Sequence, residues 1–186
     1  MAVPFARIGR FPRPDHTPYR RLSTVYPLPE PFALRDRTDT DQAFVQALYA
    51  STREDLRQAL PDPAQLLPLL AMQQNAQEAG FRRQFPEARQ WLLLRSGLPI
   101  GRVVVDAAAQ DLRVVDIAIV PEARRSGAAS AVLRALQAHA LAQGLPLCLA
   151  VAHGNHAAHS LYRRLGFATT SEDGTHAQMV WRGEHA

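Results

Sequence analysis

The chain has 186 residues, a net charge of +4, and 47% apolar against 20% charged residues. That is enough chain for one domain with a real core, and an ordinary composition for a soluble globular protein. The single cysteine, Cys148, excludes an internal disulfide framework; no apolar run reaches membrane-spanning length and no secretory signal opens the chain, so a cytoplasmic location is expected.

All 21 basic residues are arginine. A basic balance suits an anionic ligand, whether a phosphorylated small molecule or nucleic acid, and charge alone does not choose. Residues 1–32 are rich in proline and arginine and have no helical or alternating period, so an extended N-terminal arm is expected ahead of one domain over 33–183. A nucleic-acid arm over Arg10 to Arg21 is the lesser reading, because Asp15 and the prolines dilute that patch.

Ala33 to Asp36 reads as a first strand. Thr38 to Asp41 has the spacing of a capping box, opening a helix whose face carries Ala43, Phe44, Ala47 and Leu48. Arg53 to Leu60 reads as a further turn or two, broken by Pro61 and Pro63. Leu66 to Gln84 is expected as a long helix with Pro68 in or near its first turn. Its polar run Gln73, Gln74, Asn75, Gln77 and Glu78 is expected to face solvent. Trp91 to Arg95 and Ile100 to Asp106 flank a hairpin turn at Ser96-Gly97-Leu98-Pro99. Leu112 to Val120 is the next strand. A helix from about Gly127, a buried strand over Pro146 to Ala152, a helix from about His156 to Leu165, and short strands from Phe167 and over Ala177 to Trp181 complete a mixed α/β pattern.

The most informative stretch is Val120-Pro-Glu-Ala-Arg124-Arg125-Ser126-Gly127-Ala128-Ala129. A strand, a basic turn with glycine and then a helix make an anion site. The first N–H groups of a helix have no internal partner, and the helix dipole adds partial positive charge there. The Lys-Ser/Thr pair of a nucleoside-triphosphate loop and the three-glycine dinucleotide fingerprint are both missing. Arg124-x-x-Gly127-x-Ala129 resembles the coenzyme A pyrophosphate loop of the GNAT acetyltransferases (Gcn5-related N-acetyltransferases). Asn155-x-x-Ala158-x-x-Leu161-Tyr162-x-x-x-Gly166-Phe167 is similar to that family's later motif, in the family's order and at about its separation.

The resemblance implies a GNAT fold, a central mixed and mostly antiparallel sheet flanked by helices. It implies N-acetyl transfer from acetyl-CoA to an amine of a small molecule or peptide, by direct attack with no covalent enzyme intermediate. A coenzyme-binding module of the same fold without turnover is the alternative, and homodimers are frequent in the family. In the family, Ile117, Ala118 and Ile119 would flank the pantetheine arm, with a backbone N–H near Ile119 on the oxyanion. Arg124, Arg125, Ser126, Gly127, Ala128, Ala129 and Ser130 would hold the pyrophosphate. Asn155 would contact the cofactor as well as cap its helix. Two positions depart from the common form: Ala123 stands where an aromatic is usual, and Ser126 where a basic residue often sits, with Arg125 able to restore that charge.

Tyr162 matches the family tyrosine that points at the cofactor sulfur, and a phenol can donate a proton to a departing thiolate; a core tyrosine is the plainer reading. Asp116 is a candidate general base, set against a solvent-facing strand residue. His153 is a candidate proton relay after its strand end. His153, His156 and His159 need not share a face, and no metal site is expected from them. Cys148 reads as a small buried residue rather than a nucleophile. The acceptor amine stays unidentified; in the family its site is built by the first helices and late strands, so the glutamine-rich face is the alternative acceptor lining.

Overall fold

The computed structural model describes residues 26–183. Strand-length apolar runs, interrupted by Gly and Asp turns, pair into one seven-stranded sheet in the order β1-β2-β3-β4-β5-β7-β6. β1 (Phe32–Asp36), β2 (Arg89–Arg95), β3 (Leu98–Ala107) and β4 (Leu112–Ile119) are antiparallel neighbours. Three helices separate β1 from β2: α1 (Gln42–Ser51), α2 (Glu54–Ala59) and α3 (Pro63–Gln84). α4 (Ala128–Ala142) carries the chain from β4 to its parallel neighbour β5 (Leu147–Ala152). α5 (His156–Arg164) follows, and β6 (Ala168–Glu172) and β7 (His176–Trp181) close the sheet antiparallel. This is the mixed, mostly antiparallel α/β architecture expected from the sequence.

Both sheet faces are covered. Trp91, Leu93, Val103 and Val105 share one core with Val132, Leu133 and Leu136 of α4. The alternate positions Leu92 and Val104 are equally buried but belong to the opposite face, as strand periodicity requires. Tyr26 packs edge-on to Trp91 and to His139 of α4, at 5.5 and 5.0 Å between centroids. Packed chain therefore begins within the zone read as an arm; the arginines of its first part lie outside the described residues.

Several local expectations need correction. α1 buries Val45, Leu48 and Tyr49, while Ala43 and Ala47 are exposed. Pro63 begins α3 instead of ending its predecessor: the Asp62 carboxylate accepts the Ala64 N–H at 2.9 Å, and proline at the first helical position loses no bond. Pro68 is consequently inside the helix. The hairpin turn is the pair Ser96 and Gly97, with φ of 50° and 81°, and Leu98 and Pro99 already belong to β3. Pro99 is tolerated because the β2–β3 register shifts beside it. The Thr38 capping box forms as expected, its N–H and hydroxyl bonded to the Asp41 carboxylate at 2.8 and 2.9 Å, though it opens a single tight turn ahead of α1.

One irregularity positions the site. Val104 pairs with Asp116 but Val105 pairs with Val114, so Val115 is an extra residue in β4. Such a bulge bends its strand and sharpens the twist. The β4–β5 pairing covers only Leu112–Val114 against Leu147–Leu149. Beyond the bulge β4 stays on β3 and leaves β5, opening a wedge between two parallel strands.

Candidate active site

The segment after β4 folds as a cradle. Pro121–Ala123 makes one tight turn, Arg124 is extended, and Arg125 and Gly127 take left-handed φ of 59° and 88° before α4 starts. Ser126 Oγ donates to the Ala123 carbonyl at 2.7 Å and closes the loop. No side chain caps α4. Ala131 N–H, bonded to the Gly127 carbonyl at 2.9 Å, is the first of the helix to find a backbone partner, which leaves the N–H groups of Ala128, Ala129 and Ser130 open. A Cβ placed on Gly127 would meet nothing within 4 Å, so the space before the cradle is free. Arg124 and Arg125 are exposed beside it.

The wedge and the cradle open into one cavity of about 510 Å³. Asp116, Ile117, Ala118 and Ile119 of β4 form one wall; Ala158, Leu161 and Tyr162 of α5 face them, with Asn155 at the helix start. Arg124 and Ala129 line the cradle end. Tyr49 and Thr52, with Val45 and Leu48 of α1 and Gln77 of α3, line the other. The backbone register decides what β4 presents. Val120 N–H donates to the Ile100 carbonyl at 2.9 Å, so alternate residues Ala118 and Asp116 also direct their peptide groups to β3. Ile117 and Ile119 therefore direct theirs into the wedge. Two contacts agree: Arg124 Nε donates to the Ile119 carbonyl at 3.1 Å, and a Cβ on Gly101 of β3 would lie 2.4 Å from the Ala118 carbonyl oxygen.

Tyr162 sits on α5 with 7% of its surface exposed, its ring 5.8 Å from Phe167. It is both a core residue and a cavity residue. Burial, helped by the Asp116 carboxylate, pushes its phenol up to about 12, so it holds its proton at neutral pH. Asn155 caps α5, its Oδ1 accepting the Ala158 N–H at 3.1 Å, and lines the cavity as well. Asp116 reaches the cavity and is paired with Arg102 of β3: Nη2 and Nε donate to Oδ2 at 2.7 and 3.2 Å. His153 is not among the cavity-lining residues; its Nε2 lies 2.7 Å from the Asp173 carbonyl, on the β6–β7 turn. Cys148 is buried, and burial, with Asp111 adding, pushes its thiol up to about 11, away from nucleophilic use.

The glutamine-rich face of α3 is the main correction. Gln74 is buried, Gln77 lines the cavity, and Gln73 accepts from Tyr49 Oη and Arg53. Glu78 stands 3.4 Å from Arg37 and 3.6 Å from Arg102 in ion pairs, and its Oε1 takes no hydrogen bond among the described residues. Of the predicted solvent face, only Asn75 is exposed. The signal was available: Leu70, Gln74, Gln77 and Phe81 recur at helical spacing, so the glutamines occupy core stations between apolar ones. Arg102 carried no such signal, since it is one arginine in an apolar strand.

Among the described residues no helix is long and apolar enough to cross a membrane. No curated protein matches the sequence. Solved structures share the fold at low identity. The PaiA N-acetyltransferase from Thermoplasma acidophilum, solved with coenzyme A, is 13% identical with a TM-score of 0.61, over 82% of this chain and 99% of that one. The ribosomal L7/L12 alpha-N-protein acetyltransferase RimL, also solved with coenzyme A, is 14% identical with a TM-score of 0.61, over 86% and 98%. The ribosomal-protein-S5-alanine acetyltransferase from Vibrio fischeri is 16% identical with a TM-score of 0.56, over 83% and 94%. The model of the acetyltransferase (GNAT) family matches residues 45–167, from α1 through α5 to Phe167. That span contains the bulged strand, the cradle and every residue lining the cavity, and by it this chain belongs to the GNAT family of acetyltransferases, acyltransferases that use acetyl-CoA.

Proposed function

We propose that the protein moves the acetyl group of acetyl-CoA to an amine of a small molecule or peptide, by direct attack inside the cavity. The observation that carries this reading is the wedge beyond Val114 and Leu149, which joins an open helix N-terminus at one end to the Tyr162 side chain within one cavity. When bound, the coenzyme supplies a thioester, an activated acetyl group with a thiolate as leaving group. The residues present suit it. The open N–H groups of Ala128, Ala129 and Ser130, with Arg124 and Arg125, would hold the pyrophosphate. The wedge-facing peptide groups of Ile117 and Ile119 would bond the pantetheine amides and offer an N–H where negative charge develops on the carbonyl oxygen.

An alkyl amine, with a pKa near about 10.4 for a lysine-like group, enters mostly protonated. Asp116 is the cavity carboxylate that would receive that proton, directly or through water. Tyr162, still protonated at neutral pH, would donate to the departing sulfur. Asn155 acts by fixing the start of the helix that carries Tyr162. Thiol release from acetyl-CoA with a panel of n-butylamine, glycinamide, spermidine and an alanine-initiated peptide tests the reading. Amine-dependent release is expected. Tight coenzyme binding with no release from any amine would overturn turnover and return the binding-module alternative.

A further inference from the structure

Arg102 stands out as a cation almost wholly removed from solvent beside the reaction cavity. Its side chain is 4% exposed, and it is held from three sides. Its guanidinium carbon lies over the Phe81 ring of α3, 5.9 Å from the centroid. Nη2 also reaches Gln77 Oε1 at 3.4 Å, and Nη1 lies 3.6 Å from Glu78. Toward the cavity, Nε and Nη2 both donate to a single oxygen of Asp116, Oδ2.

That asymmetry matters. Arg102 pairs with Ala118 across the strands and Val104 pairs with Asp116, so the ion pair is a diagonal one, reaching along the sheet. Both hydrogen bonds fall on one oxygen, and Oδ1 takes no hydrogen bond among the described residues. With the backbone held by the β3 pairing and Oδ2 held by two donors, the direction left to Oδ1 is narrowly restricted. Asp116 lies just past the Val115 bulge, where β4 has lost its β5 neighbour and has least support from the sheet.

We propose that Arg102 is a positioning residue for acetyl transfer: it grips Asp116 and aims its free oxygen at the acceptor amine, and α3 fixes Arg102 through Phe81, Gln77 and Glu78. The wall that meets the acceptor and the group that takes its proton are thereby built as one unit. This rests on the reading in which Asp116 receives the amine proton. Arg102 touches no reacting atom and acts through Asp116 alone.

The test is a double-mutant cycle on kcat, using the panel amine that gives the fastest thiol release, with coenzyme affinity measured by calorimetry. Asp116→Asn should lower kcat by about a hundredfold, the usual scale for a proton-transfer group. Arg102→Gln should lower kcat by about tenfold or more, yet change it less than about twofold in the Asp116→Asn background, because residues acting through one another are not additive. Coenzyme affinity should stay within about twofold throughout. Arg102→Lys serves where Arg102→Gln fails to fold: it keeps the charge but not the two-point grip, and should lose several-fold in kcat. Equal losses from Arg102→Gln in both backgrounds, or full activity in Arg102→Lys, would overturn the positioning role alone. A wild-type protein inactive with every amine, or an Asp116→Asn protein of full activity, would overturn the proposed mechanism and this role with it.

Discussion

The two ends of the cavity are built on different physical principles. At the cradle end the polar groups on offer are backbone: N–H groups at the start of α4 and the wedge-facing peptides of Ile117 and Ile119. At the α1–α3 end they are side chains, Tyr49, Gln77, Arg102 and Asp116, brought together from α1, α3, β3 and β4. A backbone site needs only small residues and a left-handed glycine at set spacings. A side-chain site can be assembled from almost any positions that the fold brings close. The first kind can serve one cofactor across a whole family, while the second is free to change with the acceptor.

Tyr162 lines this cavity, and its replacement should have the largest effect. Tyr162→Phe should lower kcat roughly a hundredfold and leave coenzyme affinity unchanged, read by thiol release and calorimetry. Unchanged turnover would make Tyr162 a packing residue only, and the wedge would then supply all the chemistry. At the cradle, Gly127→Val should weaken coenzyme binding about tenfold or more. The left-handed φ of 88° is strained for a β-branched residue by about 1–3 kcal/mol, and the new side chain would fill the space before the open N–H groups. Equal affinity in calorimetry would show that the backbone end is not where the phosphates sit.

Gly101→Ala probes the same end through stability. Its Cβ would come to 2.4 Å of the Ala118 carbonyl, a backbone atom that cannot swing aside. A loss of about 1–3 kcal/mol in urea unfolding is expected from such overpacking. An unchanged midpoint would mean that β4 beyond the bulge already has room to move. The smallest effect concerns pH. Burial pushes Tyr162 and Tyr26 up to about 12 in the folded chain. Their contribution to stability is complete below the unfolded value of about 10 and is lost as pH rises from there toward 12. Unfolding midpoints should therefore fall between pH 10 and 12, and Tyr162→Phe should lessen that fall. A flat profile would show that neither phenol is as enclosed as the structure has it.

Much of this was legible in advance. The strand–turn–helix segment around Gly127 and the Asn155 to Phe167 motif identified the cradle, the α5 cap and Tyr162, because local backbone conformation leaves local residue signatures: a glycine at positive φ, an asparagine at a helix start. The α3 face was misread because its glutamines look solvated one at a time. They are held inward by partners far away in sequence, Gln73 by Arg53 and Gln77 by Arg102. Arg102 itself gave no warning, since the length of a strand says nothing about which face will find a carboxylate.

The sequence by itself determined the order of elements and the glycine-containing turn that opens α4, since these depend on hydrogen bonds and backbone angles within a few residues. Only the tertiary structure decided that β4 and β5 part after Val114 and Leu149, that Asp116 shares its charge with Arg102, and that His153 turns to Asp173 rather than the cavity. Those outcomes depend on a one-residue bulge and on side chains meeting across distant segments, and such meetings are fixed only when the whole sheet has closed.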